Sequence, residues 1–277
     1  MRYEILLGVP SSGTIHESAA QASYHASLRH QVHRLPSTFS GPNYNAVWNA
    51  ALNSGMEKRI THFAMMHTDI QIQEDEADTG TRWLDRMVEE MDKVNADFIS
   101  TPIAIKDALG LTSCGIGNPE NRWNPWRRFC VCELENMPMT FNAKDVGYGD
   151  KFLIHNHALC LWDMRKPCWY QTDENNRCQY IFNLEEDIRL ENGKWVRYFH
   201  SEDWFYSRCM WKMNVNTYIT RVVKVIHHGG MGYSNYDGSG LLWQDGDEAT
   251  ASQWRVPGAP VYKKKQTEAE PHFVSDK

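Results

Sequence analysis

Apolar positions in the first hundred residues follow two periods, one typical of buried strands and the other of helices that lie on a sheet. Apolar runs at residues 3–9 and 63–66 predict buried strands. From Thr81 to Val94, apolar residues recur at helical spacing with charged residues between them, which predicts an amphipathic helix. Strand, helix and strand in this order favour a parallel α/β sheet with right-handed crossovers.

The remaining elements have weaker signals. A helix is predicted from about residue 14, and further elements are predicted as strands at 31–36, 97–105, 152–162 and 220–226 and as helices near 47–52 and at 201–213. Residues 110–149 are rich in Asn, Pro, Gly and Trp and are predicted to form long loops. The sequence thus predicts one α/β domain over residues 1–242, with a mostly parallel central sheet flanked by helices, and a polar tail at 243–277.

Composition narrows the classes of protein that fit. A length of 277 residues suits one large domain, and a net charge of −6 does not favour a dedicated nucleic-acid binder. The 7 cysteines match neither a zinc spacing nor a disulfide framework, so reduced thiols in the cytoplasm are expected. No leader and no long apolar run is visible, so we expect a soluble protein without a membrane span.

The apolar run at 63–66 leads directly into His67, Thr68 and Asp69. The carboxyl end of a buried parallel strand commonly opens into a binding site, so the acid is expected to meet a ligand rather than the core. A strand that merely ends in a capping Asp is the simpler alternative.

An acidic pair, Glu202 and Asp203, lies at the start of the helix predicted at 201–213. A carboxylate in a site could accept a proton from an attacking hydroxyl group. The alternative is structural, because Ser201 suits an N-cap and acids in the first turn stabilise the helix dipole.

Histidines form two further candidate groups. Alternation puts Val223, Val225 and His227 on one face of the last predicted strand, which favours His227 over His228 as the residue that faces a site. The same alternation places His155 and His157 together on one face, where a structural or acceptor-side role is expected.

Together these motifs resemble those of glycosyltransferases with the GT-A fold, and particularly the large family of inverting enzymes. Members commonly end the central strand in Asp-x-Asp, whereas His67-Thr68-Asp69 keeps the second acid and has histidine in place of the first. The resemblance covers about residues 1–236 and implies a GT-A, Rossmann-like fold, with residues 1–109 as the nucleotide-binding half and 110–242 as the acceptor-binding and catalytic half.

The resemblance also implies an activity, which is metal-dependent transfer of a sugar from a nucleoside-diphosphate sugar to a hydroxyl acceptor, with inversion. A UDP-sugar is the favoured donor. The acceptor stays open between a glycan, a lipid-linked sugar, a protein side chain and a modified base in DNA. Asp69, His67 and His227, with His228 as the alternative to His227, would hold the cation, and the histidines favour manganese over magnesium.

The remaining roles follow from the same resemblance. Asp203 would be the catalytic base, with Glu202 beside it. The donor would contact a set of residues at strand ends and on the second helix: Pro10, Ser11, Ser12, Asn49, His67, Thr68 and Asp69. On the acceptor side, aromatic rings and an imidazole are expected, namely Trp123, Trp126, His157 and Trp204.

Three other classes of protein are weighed against this one. A sugar nucleotidyltransferase uses a similar sheet, but usually has a basic glycine-rich loop after its first strand, and residues 10–13 contain no lysine or arginine. A carbohydrate-binding protein rich in tryptophan would need no metal. A zinc hydrolase would use the histidines, yet no His-x-x-x-His pairing occurs.

Overall fold

The computed structural model describes residues 3–11, 14–27, 30–36, 40–73, 82–106, 110–229 and 232–236. Within these ranges the helices are α1 (Glu17–Ser27), α2 (Ser40–Met56), α3 (Trp83–Val94), α4 (Val131–Leu134) and α5 (Glu202–Lys212). The strands are β1 (Ile5–Ser11), β2 (Gln31–Pro36), β3 (His62–Met66), β4 (Ile70–Ile72), β5 (Phe98–Ser100), β6 (Leu111–Gly117), β7 (Arg127–Cys130), β8 (Thr140–Phe141), β9 (Phe152–Ile154), β10 (Leu159–Asp163), β11 (Glu185–Glu191), β12 (Lys194–His200), β13 (Thr217–Thr220), β14 (Val225–His228) and β15 (Gly232–Ser234). Their alternation along the chain confirms the predicted α/β class.

The largest sheet has seven strands in the order β2-β1-β3-β10-β5-β13-β8. Strand β1 is parallel to both β2 and β3, and β13 is parallel to β5. Strand β10 is antiparallel to both of its neighbours, β3 and β5, and β8 is antiparallel to β13. The sheet is therefore mixed, with β10 and β8 running against the other strands.

Helices cover both faces of this sheet, as its apolar strands require. In β3, Ala64 and Met66 pack into the core beneath α1 and α3, while Phe63 and Met65 pack into the core beneath α2 and α5. All four side chains are fully buried. Successive residues of a strand point to opposite faces, so one apolar run supplies both cores.

The order of strands places a crevice at one edge of the sheet. The chain passes from β1 to β2 through α1 and returns past β1 to β3 through α2, and α1 and α2 pack in different cores. In open α/β sheets, ligands bind outside the carboxyl ends of the strands, where the connections diverge in this way. Here the divergence lies between the ends of β1 and β3.

Strand β10 brings a second segment to the same edge because it runs in the opposite direction. Its first residues lie beside the carboxyl ends of β3 and β5, where the amide of His67 donates to the carbonyl of Ala158 (2.8 Å) and the amide of Thr101 donates to that of Leu159 (2.9 Å). Residues 155–157, which precede β10, therefore lie at the edge formed by the carboxyl ends of β3 and β5.

Three smaller sheets complete the described fold. One has the order β15-β14-β4 and pairs the last strands with the segment that follows Asp69. Another joins β7, β6 and β9, and β11 with β12 form a hairpin. The first of these sheets decides where His227 lies, because its Cα pairs with that of Ile70.

Several predicted elements were wrong in extent or kind. Residues 110–149 were predicted as loops throughout, but β6, β7, α4 and β8 lie among those loops. Residues 152–162 form two strands in different sheets, β9 and β10, and the strand predicted at 220–226 is divided between β13 and β14. Strand β6 has the sequence LTSCGIG, whose small and polar residues hide its strand character. The predicted tail at 243–277 lies outside the described residues.

Candidate functional site

Asp69 lies in the turn between β3 and β4, and its side chain is the centre of a charged cluster. Its Oδ2 atom accepts a hydrogen bond from Lys106 Nζ at 2.5 Å and lies 3.4 Å from His227 Nε2. The main-chain oxygen of Asp69 accepts from the amide of His228 at 2.8 Å. Main-chain and side-chain hydrogen bonds thus both hold this turn.

The Asp69 carboxylate is anionic, and only one of its two oxygens is hydrogen-bonded within the described residues. Burial acts to raise its pKa, but the side-chain contacts with His227 and Lys106 outweigh that effect and hold the pKa well below its ordinary range. Its Oδ1 atom is buried and has no hydrogen-bond partner among the described residues. A buried carboxylate oxygen normally has a partner, so this atom is an open binding position.

The ring of His227 is oriented by the main chain. Its Nδ1 lies 2.9 Å from the carbonyl oxygen of Ala104, and since a carbonyl only accepts, Nδ1 carries the proton. In the neutral ring, Nε2 then points a lone pair at the Asp69 carboxylate. A cation placed between the two residues would contact Nε2 of His227 and an oxygen of Asp69.

His228 faces a different set of groups. Its Nε2 lies 2.7 Å from the Gln71 side-chain oxygen, and its ring stacks on that of His16 with centroids 3.8 Å apart. Of the two adjacent histidines, His227 therefore has its ring at the Asp69 carboxylate. This placement follows the alternation of side chains along β14.

His67 follows β3 directly and is uncharged at neutral pH. Burial lowers its pKa to about 4, against the opposing effect of Asp69 and Asp203. Its ring stacks on Tyr44 of α2 with centroids 5.1 Å apart. Its Nε2 is buried without a hydrogen-bond partner among the described residues, so it is available to a ligand.

Asp203 lies in the first turn of α5, and two residues that precede β10 hold its carboxylate. His157 Nδ1 is 2.8 Å from Oδ1, and Asn156 Nδ2 donates to Oδ2 at 3.1 Å. Because an ionised carboxylate only accepts, Nδ1 of His157 carries the proton in this contact. Hydrogen bonds to both carboxylate oxygens thus fix the orientation of Asp203.

The ring of His157 is itself fixed by packing. It is fully buried among aromatic side chains, with centroid distances of 5.9 Å to Trp162, 5.1 Å to Phe182 and 5.0 Å to Tyr206. These contacts leave the imidazole one orientation. Its Nε2 has no hydrogen-bond partner among the described residues.

Ring contacts connect the two acids. His67 stacks on Tyr44 with centroids 5.1 Å apart, Tyr44 lies 5.4 Å from Phe182, and Phe182 lies 5.1 Å from His157, which holds Asp203. Burial raises the pKa of Tyr44, and the charges of Asp203, Glu202 and Asp69 raise it further. The same two aspartates, Asp69 and Asp203, act on the pKa of His67. The end of β3 and the start of α5, far apart in sequence, therefore meet at one edge of the sheet.

Of the residues expected to contact the donor, those at strand ends lie at this edge and Asn49 does not. The Thr68 carbonyl accepts from the amide of His16 (2.8 Å), and the carbonyl of Ser11 accepts from Asn43 (3.2 Å), which places Pro10 and Ser11 at the mouth of the crevice. Asn49 is exposed on α2, and its side-chain oxygen accepts from Asn53. Ser12 lies outside the described residues.

The three tryptophans expected on the acceptor side lie around the hairpin and α5. Trp123 packs on Tyr198 of the hairpin, with centroids 5.6 Å apart. Trp204 follows Asp203 and lies 5.2 Å from the ring of His200. Trp126 packs against the core of Cys114, Ile116 and Phe129, with Lys151 Nζ 4.1 Å from its ring centroid.

The donor atoms around Asp69 match part of a divalent-cation site. Within the described ranges, no group of three or more His, Cys, Asp and Glu side chains is arranged to hold a metal ion. Asp69 and His227 nevertheless offer a carboxylate and an imidazole to a common point, and Nδ1 of His227 has the main-chain partner that metal-bound histidines usually have. The fit is that of a two-ligand site, in which a phosphate ligand would complete the coordination.

Sequence reasoning missed three residues of this site. Lys106 follows β5, where no pattern marks it, and Tyr44 reads as one more apolar residue of α2. Asn156 stands between the two histidines that the sequence singled out, and alternation along a strand would have placed it away from them. It reaches Asp203 because residues 155–158 connect strands of different sheets and are not themselves a strand.

Comparisons with known proteins found matches among solved structures and not among family models or curated proteins. Neither a scan against protein-family models nor a search of curated proteins found a match. Among solved structures, the crystal structure of A197 from STIV matches with a TM-score of 0.49 and 10% sequence identity, over 82% of this chain and 86% of that chain. In the described residues, none of the helices is long and apolar enough to cross a membrane.

Proposed function

We propose that this protein is a GT-A glycosyltransferase that moves a sugar from a nucleoside-diphosphate sugar to a hydroxyl acceptor. One observation carries the proposal. Two acids lie at the same edge of an α/β sheet. Asp69 is anionic, and its Oδ1 atom has no hydrogen-bond partner among the described residues. Asp203 is oriented by hydrogen bonds from His157 and Asn156. Transfer of this kind needs one group that neutralises a diphosphate and another that takes a proton.

The first of these functions falls to Asp69 and His227, with His67 next to them. A divalent cation, manganese rather than magnesium, would neutralise the charge that develops on the diphosphate as the glycosidic bond breaks. Asp69 would bind it through a carboxylate oxygen and His227 through Nε2. The bond from Nδ1 to the Ala104 carbonyl supports this role because it fixes the required tautomer.

Lys106 provides positive charge at the same point. In the free protein it neutralises Asp69, whose carboxylate is otherwise partly buried beside another acceptor. Its Nζ is on a flexible stem, so it can leave Asp69 when a cation binds there and contact a phosphate oxygen instead. The site therefore keeps a balanced charge both with and without the donor.

The second function falls to Asp203. Its carboxylate would accept the proton of the acceptor hydroxyl as that oxygen attacks the anomeric carbon, on the side opposite to the diphosphate, which inverts the configuration. His157 and Asn156 would orient it, since each binds a different oxygen. Glu202 adds negative charge beside it at the start of α5.

Sugar nucleotidyl transfer is the second candidate, and one observation favours it. Residues 10–13, at the end of the first strand, include no basic residue, but Lys106 supplies a cation at the same edge of the sheet. A lysine beside a carboxylate could serve a triphosphate as well as a diphosphate. Asp203, held by His157 and Asn156 close to the cation site, has no role in that reaction, and for this reason sugar transfer is preferred.

We expect nucleoside diphosphates to raise the melting temperature of the protein in the presence of Mn²⁺. A ligand that binds only the native state at about 100 times its Kd adds about 2.7 kcal/mol to the free energy of unfolding, which is worth roughly 5 to 10 °C here. The measurement is a thermal-shift screen of uridine, guanosine, cytidine, adenosine and thymidine diphosphates and their sugars, with uridine expected to give the largest shift.

The control for this screen is the same titration in excess chelator. The proposal requires the shift to fall by most of its size, because Asp69 and His227 would reach the diphosphate only through the cation. Equal shifts with and without the metal ion would rule out the metal-supported site. A shift produced by free sugars but not by nucleotides would support a carbohydrate-binding protein instead.

A further inference from the structure

The hairpin formed by β11 and β12 has an unusual distribution of apolar side chains. Six of the nine large apolar side chains that are exposed in the described ranges lie between residues 181 and 199. The turn of the hairpin is Asn192-Gly193, both with positive φ (50° and 77°), as the tight turns that match strand twist require. The hairpin is thus well formed but carries apolar residues in water.

Four of these side chains, those of Ile188, Leu190, Trp195 and Phe199, share one face of the hairpin. Opposite residues in the register are Glu186 with Phe199, Ile188 with Arg197 and Leu190 with Trp195, and opposite residues point to the same side. All six are exposed, with Trp195 at 73% and Leu190 at 60% of their full accessible area. We call this set of six residues the outer face of the hairpin.

The other face already has partners in the protein. Tyr198 packs on Trp123, and the Arg189 guanidinium lies 5.0 Å from the Tyr198 ring. At the base of the hairpin, Glu185 forms an ion pair with Arg208 of α5. A two-stranded hairpin is marginal on its own, and packing of this second face against the domain accounts for its order. The outer face plays no part in that packing.

We propose that the outer face is the interface of a symmetric dimer, in which it packs against the outer face of a second copy of this chain. The net charge of the outer face and its exposed apolar area both favour this partner. Its only two charged residues, Glu186 and Arg197, are oppositely charged and pair with each other, so the face has no net charge. Under a twofold axis each copy presents one carboxylate and one guanidinium, so Glu186 of one copy can pair with Arg197 of the second copy.

The same features favour a second copy of this chain over a lipid surface or a nucleic acid. An anionic lipid surface or a nucleic acid would require an excess of cations, which the outer face does not have. The exposed apolar area is several hundred Å², which is at or above the roughly 300–600 Å² of the largest patch on a typical monomer. It is near the lower limit for one side of a stable interface, about 600–1,000 Å², so we expect a dimer with a micromolar Kd.

The test is sedimentation velocity of the full-length chain from about 1 to 300 μM, without metal or nucleotide, so that its outcome does not depend on the proposed activity. The wild-type protein is expected to pass from monomer to dimer across this range. Leu190→Ser with Trp195→Ser should weaken the dimer at least tenfold. The matched control is Met56→Ser, which removes a side chain that is equally exposed (69%) at the end of α2 and should leave the Kd unchanged.

Charge reversal gives a second and more specific measurement. Glu186→Arg and Arg197→Glu should each weaken dimerisation, because like charges then meet across the axis, and the double reversal should restore it to within about threefold. A wild-type protein that stays monomeric at 300 μM, or a dimer that none of these changes affects, overturns the proposal. Trp195-dependent sedimentation of a monomeric protein with phosphatidylcholine vesicles would assign the face to a lipid surface instead.

Discussion

Asp203→Asn is expected to lower the turnover number for sugar transfer by about two to four orders of magnitude, the range typical of general base catalysis. The amide is the same size as the carboxylate and can still pair with Asn156, but it cannot accept the proton of the attacking hydroxyl group. Donor binding should stay close to the wild-type value, because Asp203 is held by residues of the acceptor half. The measurement compares kcat with the Kd for the nucleotide, so that loss of chemistry is separated from loss of binding.

Glu202→Gln is the matched control for this change. It removes one negative charge from the same first turn of α5, so it has the same effect on the helix dipole, worth about 0.3–1 kcal/mol. If both variants lose activity equally, or if Asp203→Asn lowers only the stability of the protein, the acids stabilise the helix and Asp203 is not the base. A product that retains the configuration of the donor would also exclude a single displacement assisted by Asp203.

Asp69→Asn and His227→Ala are each expected to weaken Mn²⁺-supported nucleotide binding by about 100-fold or more. Loss of a residue that only orients a metal ligand costs about 10- to 100-fold, and these two residues would contact the cation directly. The double variant should lose less than the sum of the two free-energy changes, since residues that act as a unit are non-additive. Calorimetric titration of the nucleotide at saturating Mn²⁺ gives all three values.

His228→Ala is the control for the histidine. Its ring lies on His16 and near Gln71 rather than at the Asp69 carboxylate, so its loss should change the Kd by less than about threefold. A large effect of His228→Ala with no effect of His227→Ala would contradict the assignment of ligands along β14. Strictly additive effects of Asp69→Asn and His227→Ala would show that they do not share a cation.

Local patterns predicted the elements whose apolar residues have a clear period. Helix α3 was expected at 81–94 and spans Trp83–Val94, and α5 was expected at 201–213 and spans Glu202–Lys212. The hairpin was missed although it has a strong signal, Asn192-Gly193 between two alternating segments. The face that packs on the domain carries Asp187, Arg189 and Glu191, whereas the apolar residues point outward, so the pattern is the reverse of a strand that buries its apolar face.

Tertiary contacts of the site could be predicted only in part. The carboxyl end of β3 was expected to hold a ligand-binding acid, and His227 was expected on the side of the site by strand parity. That His157 and Asn156 would hold Asp203 could not be deduced, because it depends on β10 entering the sheet in reverse between two parallel strands. Lys106 reaches Asp69 through the path of the chain after β5, which follows no periodic pattern.

The central claim is that the edge of the sheet between Asp69 and Asp203 breaks the bond between a sugar and a nucleoside diphosphate. The most direct measurement is the identity of the products when the protein is incubated with nucleotide sugars and Mn²⁺ without an acceptor, where water can replace the acceptor hydroxyl slowly. The account predicts nucleoside diphosphate and free sugar, formed more slowly by Asp203→Asn than by the wild-type protein. Release of nucleoside monophosphate and sugar phosphate would mean cleavage within the diphosphate, as in nucleotidyl transfer, and would contradict the claim.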